Sequence, residues 1–251
     1  MKGETIMENV IDVNDFSFFY GDKPVLEHVS FHIAKGEIIG LLGENGSGKT
    51  TFLDSLYGFH GKQEAILILS TNPVIDNQMI KENVSYIQDT PNLLDYLTAE
   101  QYIKFICHIE KLDYDNKKEE IMRYVDLFDL SGEYQSKLIK DYSFGMKKKI
   151  QIIGELFLHK NIILIDEPTN GLDIGMIISL KKLLKQEHNT FSSTIIISSH
   201  NTQFLEDVCD RILLFNHHQI VKDIINDSSL NLETEFLNAK SMESEQAYGQ
   251  G

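Results

Sequence analysis

One short run of residues could bind phosphate by itself: residues 43–50, GENGSGKT, match the phosphate-loop pattern G-x-x-x-x-G-K-[ST]. Glycines let such a backbone wrap around phosphate oxygens, and its N–H groups then point inward at a helix N-terminus, where the dipole favours an anion. Lys49 is expected to reach the β- and γ-phosphates, and the Thr50 hydroxyl to ligate Mg²⁺. We assign nucleotide binding to Gly43, Asn45, Gly46, Ser47, Gly48, Lys49, Thr50 and Thr51.

A second run carries acidic chemistry: residues 162–167, IILIDE, place two adjacent carboxylates directly after four apolar residues. The apolar residues predict a buried strand, and the carboxyl ends of such strands are where α/β sheets hold their ligands. Asp166 is expected to hold the magnesium shell, and Glu167 to polarise an attacking water as general base. A turn followed by a helix cap is the alternative reading of Asp-Glu-Pro-Thr. The phosphate loop upstream favours the assignment of Asp166 to the magnesium shell and of Glu167 to general-base catalysis.

The elements around both runs predict a parallel-rich sheet with helices on its faces. Ile38–Leu42 reads as a buried strand before the phosphate loop, and Thr51–Leu56 as the start of a helix after it. Helical spacing dominates from Thr98 to Leu158, where Thr98-Ala99-Glu100-Gln101 predicts a capping box. Further strands are predicted at Val10–Phe19, Val25–Ile33, Ala65–Leu69, Val84–Gln88, Ile162–Asp166, Thr194–Ser198 and Ile212–Phe215.

Composition restricts the class of protein. The 251 residues carry 23 Lys and Arg against 38 Asp and Glu, a net charge of −15, which argues against nucleic acid as a partner. The one dense positive run, residues 147–149, is expected on a solvated helix face. Cys107 and Cys209 are expected to be packed thiols in a reducing compartment. No apolar stretch approaches the ~20 residues that span a bilayer, and residues 1–10 lack a signal-peptide core, so we expect a cytoplasmic protein.

Further motifs occur in order along the chain: Tyr20 before Gly21, Gln88 at a predicted strand end, residues 142–146 before a predicted helix, residues 169–173 shortly after Glu167, and His200 after a predicted strand. Together with the two runs, these motifs resemble the nucleotide-binding subunits of ABC transporters, over about residues 10–222 and most closely those of ABC-2 type exporters. The resemblance implies a P-loop NTPase (RecA-like) core, an N-terminal antiparallel β subdomain and a helical signature subdomain. It implies an ATPase domain over residues 1–225, with the helical subdomain at about 91–158 and a variable tail at 226–251. ATP and Mg²⁺ are the implied ligands.

The resemblance also implies roles for residues outside the two runs. Tyr20 would stack on adenine, Gln88 would serve catalysis and Mg²⁺ as the Q-loop glutamine, and His200 would be the switch histidine. Ser143 and Gly145, in the signature position, would close on the γ-phosphate of an opposite protomer. Asp173 would contact that protomer from the D-loop, residues 169–173. Ser143 as an ordinary helix cap and Asp173 as an acidic helix start remain open alternatives.

The signature departs from the usual Leu-Ser-Gly-Gly-Gln, because residues 142–146 read Tyr-Ser-Phe-Gly-Met. Phe144 cannot adopt glycine backbone angles cheaply. Relaxed signatures of this kind resemble those of exporter subunits, including subunits for peptides, drugs or immunity to antimicrobial peptides.

The family's partners are a transmembrane permease and a second ATPase subunit, identical or related, at the inner face of the cell membrane. Movement would pass to the permease through a groove near Gln88 and the segment Asp89–Leu97, where Pro91 breaks regular structure. A soluble ABC ATPase for an assembly process, such as iron–sulfur cluster biogenesis, is the alternative.

Overall fold

The computed structural model describes residues 9–61, 65–69, 77–227 and 230–239, which form two sheets and a set of helices. The strands are β1 Asn9–Tyr20, β2 Lys23–Ala34, β3 Ile38–Leu42, β4 Ile66–Ile68, β5 Val84–Ile87, β6 Ile162–Asp166, β7 Thr194–Ser199, β8 Arg211–Asn216 and β9 Gln219–Ile225. The helices are α1 Lys49–Leu56, α2 Asn77–Asn83, α3 Ala99–Ile109, α4 Tyr114–Leu127, α5 Phe144–Leu156, α6 Ile174–Phe191 and α7 Thr202–Val208, with a 3₁₀ turn at Ile139–Asp141 and a further helical stretch at residues 232–239.

The larger sheet has the order β5-β6-β7-β3-β8-β9. Its first five strands are parallel, and β9 pairs antiparallel with β8 at the edge. Every residue of β3, β6 and β7 is buried, because helices or the second sheet cover both faces. The expected parallel-rich core is therefore confirmed. Its parallel strands all end at one edge, where the phosphate loop and the Asp166–Glu167 pair follow β3 and β6.

Two apolar clusters lie on opposite faces of this sheet, and β6 shows why. Ile162 and Leu164 belong to one cluster, whereas Ile163 and Ile165 belong to the other, since alternate strand residues point to opposite faces. The first cluster joins the sheet to α1 and to the small antiparallel sheet β2-β1-β4. The second cluster joins it to the helices α3–α7.

The helical subdomain begins with the predicted capping box. The Thr98 side chain accepts a hydrogen bond from the Gln101 backbone N–H, and the Gln101 side chain accepts one from the Thr98 N–H. Within the stretch predicted to be helical, Asp113 caps α4, and its side chain accepts from the N–H groups of Asp115 and Asn116 in the first turn.

Several elements differ from the sequence-based expectation. The helices α2 and α7 were not predicted, since seven residues are too few to show a helical period. Residues 232–239 of the expected loose tail are helical, and Leu232 is completely buried against the core, while residues 240–251 lie outside the described part. Cys107 and Cys209 are buried free thiols, as predicted. No helix among the described residues combines the length and apolar character needed to cross a bilayer.

A histidine ties the helical subdomain to the core. His159 lies in the turn between α5 and β6, with Nδ1 2.9 Å from Glu187 Oε2 of α6 and Nε2 bonded to Glu120 of α4. Tyr124 of α4 donates a second hydrogen bond to Glu187, which is fully buried. An ionised carboxylate only accepts, so this geometry suits a protonated ring whose two nitrogens both donate.

The stability of this tie depends on pH. Burial lowers the pKa of His159, but the hydrogen bonds and charges of Glu187 and Glu120 outweigh burial and hold the pKa above its ordinary value of 6.5. A pKa raised on folding contributes stability that is complete below about pH 6.5 and is lost as the pH rises through the folded-state value.

We predict that His159→Asn lowers the free energy of unfolding by about 1–3 kcal/mol at pH 6 and by much less at pH 9. Asn tolerates the left-handed backbone that His159 adopts at φ 49°. The matched control is His28→Asn, at φ 54° and paired with Asp15 but largely exposed, which should change stability at neither pH. Urea unfolding at both pH values measures this, and equal losses for His159→Asn at pH 6 and pH 9 would contradict it.

Candidate nucleotide site

The phosphate loop leaves β3 through two glycines in left-handed backbone, Gly46 at φ 85° and Gly48 at φ 101°. At Gly48 a Cβ atom would also lie 2.6 Å from Leu26 Cδ2 and 2.8 Å from the Val25 carbonyl oxygen. Glycine is therefore required at position 48 both by its backbone angles and by the close approach of β2. This packing fixes the loop against the β subdomain.

The N-terminus of α1 is free to bind an anion. Its N-cap, Gly48, supplies no side-chain hydrogen bond to the first turn. By contrast, α3–α7 are each capped by a side chain, namely those of Thr98, Asp113, Ser143, Asp173 and Asn201. Within the described residues, the buried Ser47 hydroxyl in the same loop has no hydrogen-bond partner. Uncapped amides at a helix start suit phosphate oxygens, so the loop fits the triphosphate of a nucleotide.

Lys49 is held inside the loop by backbone oxygens. Its ammonium donates to the carbonyls of Gly43 at 2.7 Å and Glu44 at 2.9 Å. Burial lowers the pKa of Lys49, and the negative charges of Glu167 and Asp166 oppose that effect. The ammonium lies inside the loop, where it can exchange these carbonyls for phosphate oxygens.

A hydrogen bond joins the phosphate loop to β6 at the place where a metal ion would lie. The Thr50 hydroxyl donates to Asp166 Oδ2 at 2.8 Å, and the Ser198 hydroxyl of β7 donates to Asp166 Oδ1. Hydroxyl and carboxylate oxygens are the ligands that Mg²⁺ takes together with phosphate. Thr50 and Asp166 therefore fit the magnesium ion of a bound nucleotide, which would neutralise phosphate charge there.

Glu167 and His200 form a pair beside Asp166. Nδ1 of His200 lies 2.9 Å from Glu167 Oε2, and the Glu167 backbone N–H donates to the Ser198 carbonyl at 3.1 Å. Glu167 adopts φ 43°, a strained value for a residue other than glycine, and such strain is typical of functional sites. The pair can hold a water molecule and accept its proton.

These groups line one pocket of about 510 Å³. Tyr20 lies at its rim, with its ring held edge-on by Phe18 and His60. The predicted residues that the structure brings together here are Tyr20, Asn45, Gly46, Gly48, Lys49, Thr50, Thr51, Asp166, Glu167 and His200. Gly43 and Ser47 belong to the same loop but are not among the residues that line the pocket.

Gln88 is not among the residues that line the pocket, but the next residue, Asp89, is. Asp89 Oδ1 accepts a hydrogen bond at 2.9 Å from Asn170 Nδ2, in the loop after β6. Sequence reasoning placed Asp89 only in the segment 89–97 beside the expected groove and Asn170 only in the D-loop, and assigned neither residue to the nucleotide pocket. Asp89 follows β5, the neighbour of β6, so a carboxylate just past a second strand end was the signal that could have identified it.

Three predicted residues lie outside the pocket of their own chain. Ser143 caps α5 by accepting from the Met146 N–H at 3.2 Å, and Asp173 caps α6 by accepting from the Met176 N–H at 2.9 Å. A Cβ on Gly145 would lie 2.5 Å from the Gly171 carbonyl oxygen, so the signature and the D-loop touch within one chain. Ser143 and Asp173 therefore both act as helix caps in the structure.

One lysine near the pocket contradicts the expected solvated helix face. Lys148 is completely buried, and its ammonium donates to the backbone carbonyl oxygens of Gln88 and Asp89. Burial lowers the pKa of Lys148 to about 8 against the opposing charges of Asp89, Asp166 and Glu167. The helix α5 turns this residue inward, although the run of three lysines suggested solvent.

Comparison with known proteins agrees with this geometry. The family model described as ABC transporter matches residues 26–170, more than half of the chain. The uncharacterized ABC transporter ATP-binding protein MJ1023 of Methanocaldococcus jannaschii is 31% identical over 87% of this chain and 80% of that protein. The bacitracin transport ATP-binding protein BcrA of Enterococcus faecalis is 28% identical over 87% of this chain and 70% of its own length.

The fold is shared with a solved structure, the dimeric post-hydrolysis state of the ATP-binding cassette MJ0796 bound to ADP and Pi. It superposes with a TM-score of 0.76 at 18% identity and covers 87% of this chain and 99% of that one. The phosphate loop, the magnesium-binding oxygens and the Glu167–His200 pair are the parts that ATP hydrolysis needs. This chain therefore belongs to the ABC transporter family, as an ATPase subunit that binds ATP and Mg²⁺.

Proposed function

We propose that this ATPase subunit energises a separate membrane-spanning permease in the direction of export, from the cytoplasmic face of the membrane. The observation that carries the proposal is that one segment borders both the ATP pocket and an apolar surface groove. Asp89 lines the pocket, while Asn92 and Leu94 line the groove. A partner seated in the groove would therefore press on the segment that reaches the nucleotide.

The groove suits an amphipathic segment of a membrane protein. It has a volume of about 460 Å³, and Tyr102, Phe105 and Ile109 of α3 form its apolar side. Phe105 and Ile109 are exposed in the chain alone, as is Tyr96 in the bordering segment. Exposed apolar surface of this kind marks a protein interface. A short helix with apolar anchors fits such a groove.

We propose that hydrolysis takes place in a dimer, with an identical or related subunit. Ile174 and Ile178 at the start of α6 are exposed beside the D-loop, as is Phe144 of the signature. This apolar surface supports a subunit contact in which Ser143, Gly145 and Asp173 approach the partner's ATP. The dimeric state of the structural relative MJ0796 supports the same arrangement.

Export is supported by the bacitracin transport relative and by the relaxed signature around Phe144. A peptide, a drug or an antimicrobial peptide is the proposed class of substrate. An assembly ATPase that works without a permease is the competing function, and recovery of a membrane partner separates the two.

We predict that Glu167→Gln lowers the rate of ATP hydrolysis by about 10²–10⁴-fold, because the amide cannot accept the proton of the attacking water. ATP binding should persist, so the variant should accumulate as an ATP-bound dimer. Turnover assays together with size-exclusion chromatography in Mg²⁺ and ATP measure both. Unchanged turnover would exclude Glu167 as the base.

We infer that Asp89 takes the place at the magnesium ion and the attacking water that the resemblance gives to Gln88. Asp89→Asn should lower turnover by about 10–10²-fold and raise the Mg²⁺ concentration needed for half-maximal rate, since a metal-facing charge is lost. Gln88→Ala is the matched control, because it keeps the backbone carbonyl that Lys148 binds. Titration of the rate with Mg²⁺ measures this, and a strong defect in Gln88→Ala alone would contradict the inference.

We predict that the tagged chain, purified from detergent-solubilised membranes of its host, brings down a polytopic membrane protein at near-equal stoichiometry. Ile109→Glu should reduce that recovery about tenfold or more, because it places a charge in the apolar groove. Ile225→Glu is the control, since Ile225 is the same residue type and is also exposed but lies on the edge strand β9, outside the groove. Recovery with soluble partners only would favour the assembly ATPase.

A further inference from the structure

The buried ammonium of Lys148 makes three hydrogen bonds to backbone carbonyl oxygens, which packing in the core does not require. It donates to the carbonyl oxygens of Gln88 at 2.7 Å, Asp89 at 3.1 Å and Asp166 at 3.4 Å. A lysine ammonium has three N–H donors, so these three acceptors satisfy it completely. An apolar side chain of the same length would fill the space without the desolvation cost of a buried charge. The contacts therefore point to a role beyond packing.

The three acceptors lie where the sheet stops holding its strands together. The parallel pairing of β5 with β6 ends at Ile87 and Ile165, one residue before Gln88 and Asp166. Beyond that point the ammonium of Lys148 bridges the two strand ends in place of backbone hydrogen bonds. It is thus placed between the segment that reaches the groove and Asp166, which would hold the magnesium ion.

The same helix holds that segment at a second point. The Lys147 ammonium lies 2.7 Å from Asp95 Oδ1, near the far end of the segment 88–97. Ser143 of the signature caps the start of this helix. The helix α5 therefore connects the signature with both parts of residues 88–97, which we call the groove segment, and with the end of β6 at Asp166.

We propose that Lys148 is a positioning residue that locks the segment after β5 to the end of β6, so that displacement of the groove segment moves Asp89 and Asp166 together. The effect of Lys148 on hydrolysis depends only on the ATP site of this chain. Its part in passing movement from a permease to that site rests on the proposed function. Lys148 acts through the backbone and touches no reacting atom.

The test compares Lys148→Met and Lys148→Gln with Lys148→Arg, which keeps the charge and the donors. Lys149→Ala is the matched control, because it removes the same charge from the next residue of α5, which is only partly buried. Amide hydrogen exchange of the nucleotide-free chain reports the lock without any turnover. Steady-state ATP hydrolysis and equilibrium ATP binding report its consequence.

We expect Lys148→Met and Lys148→Gln to speed amide exchange about tenfold or more in residues 88–97, with residues 49–56 unchanged. Turnover should fall about 10- to 100-fold while the dissociation constant for ATP stays within about twofold, because the catalytic groups are misplaced rather than removed. Lys148→Arg should recover most of both, and Lys149→Ala should resemble the unaltered chain.

Unchanged exchange in residues 88–97 would overturn the proposal, as would normal turnover in Lys148→Met. Faster exchange throughout the chain, or failure of both neutral variants to fold, would make Lys148 a general stability residue and would also overturn it. Failure of the permease to bind would leave the exchange result intact, so the two proposals fail separately.

Discussion

The site depends on the parallel pairing of β3, β6 and β7. Their carboxyl ends meet at one edge of the sheet, and this places the phosphate loop, Asp166 and His200 side by side there. The hydrogen bond from Thr50 to Asp166 closes this edge, joining residues 116 positions apart. Because the strands are buried on both faces, the apolar core fixes their positions relative to one another. The chemistry is therefore positioned by packing far from it.

The two catalytic runs could be predicted because each is a local pattern in a local context. The phosphate loop and the pair Asp166–Glu167 carry their flanking strand or helix in the sequence itself. Lys148 and His159 could not be found this way, since their roles come from partners 18 to 60 residues away. A run of three lysines predicts solvent on average, and only the rotation of α5 against the sheet decides which of them turns inward.

The capping residues distinguish α1 from α3–α7. Each of α3–α7 satisfies amides of its first turn with a capping side chain, as α5 and α6 do with Ser143 and Asp173. The helix α1 leaves its first turn without such a side chain, and this is the helix that follows the phosphate loop. A capping side chain at position 48 would compete with phosphate for the same amides, and the packing of Gly48 against Leu26 excludes any side chain there. One glycine thus serves both the fold and the anion site.

The two buried lysines of the site differ in what their hydrogen bonds allow. Lys49 binds carbonyls of its own loop, so phosphate oxygens can replace them without leaving the ammonium unpaired. Lys148 binds carbonyls at the ends of two strands, and no ligand can replace those without breaking the sheet edge. Both lie among the carboxylates Asp166 and Glu167, whose repulsion they offset before any metal arrives. The exchangeable lysine is therefore suited to binding, and the fixed lysine to holding the groups that the bound nucleotide will meet.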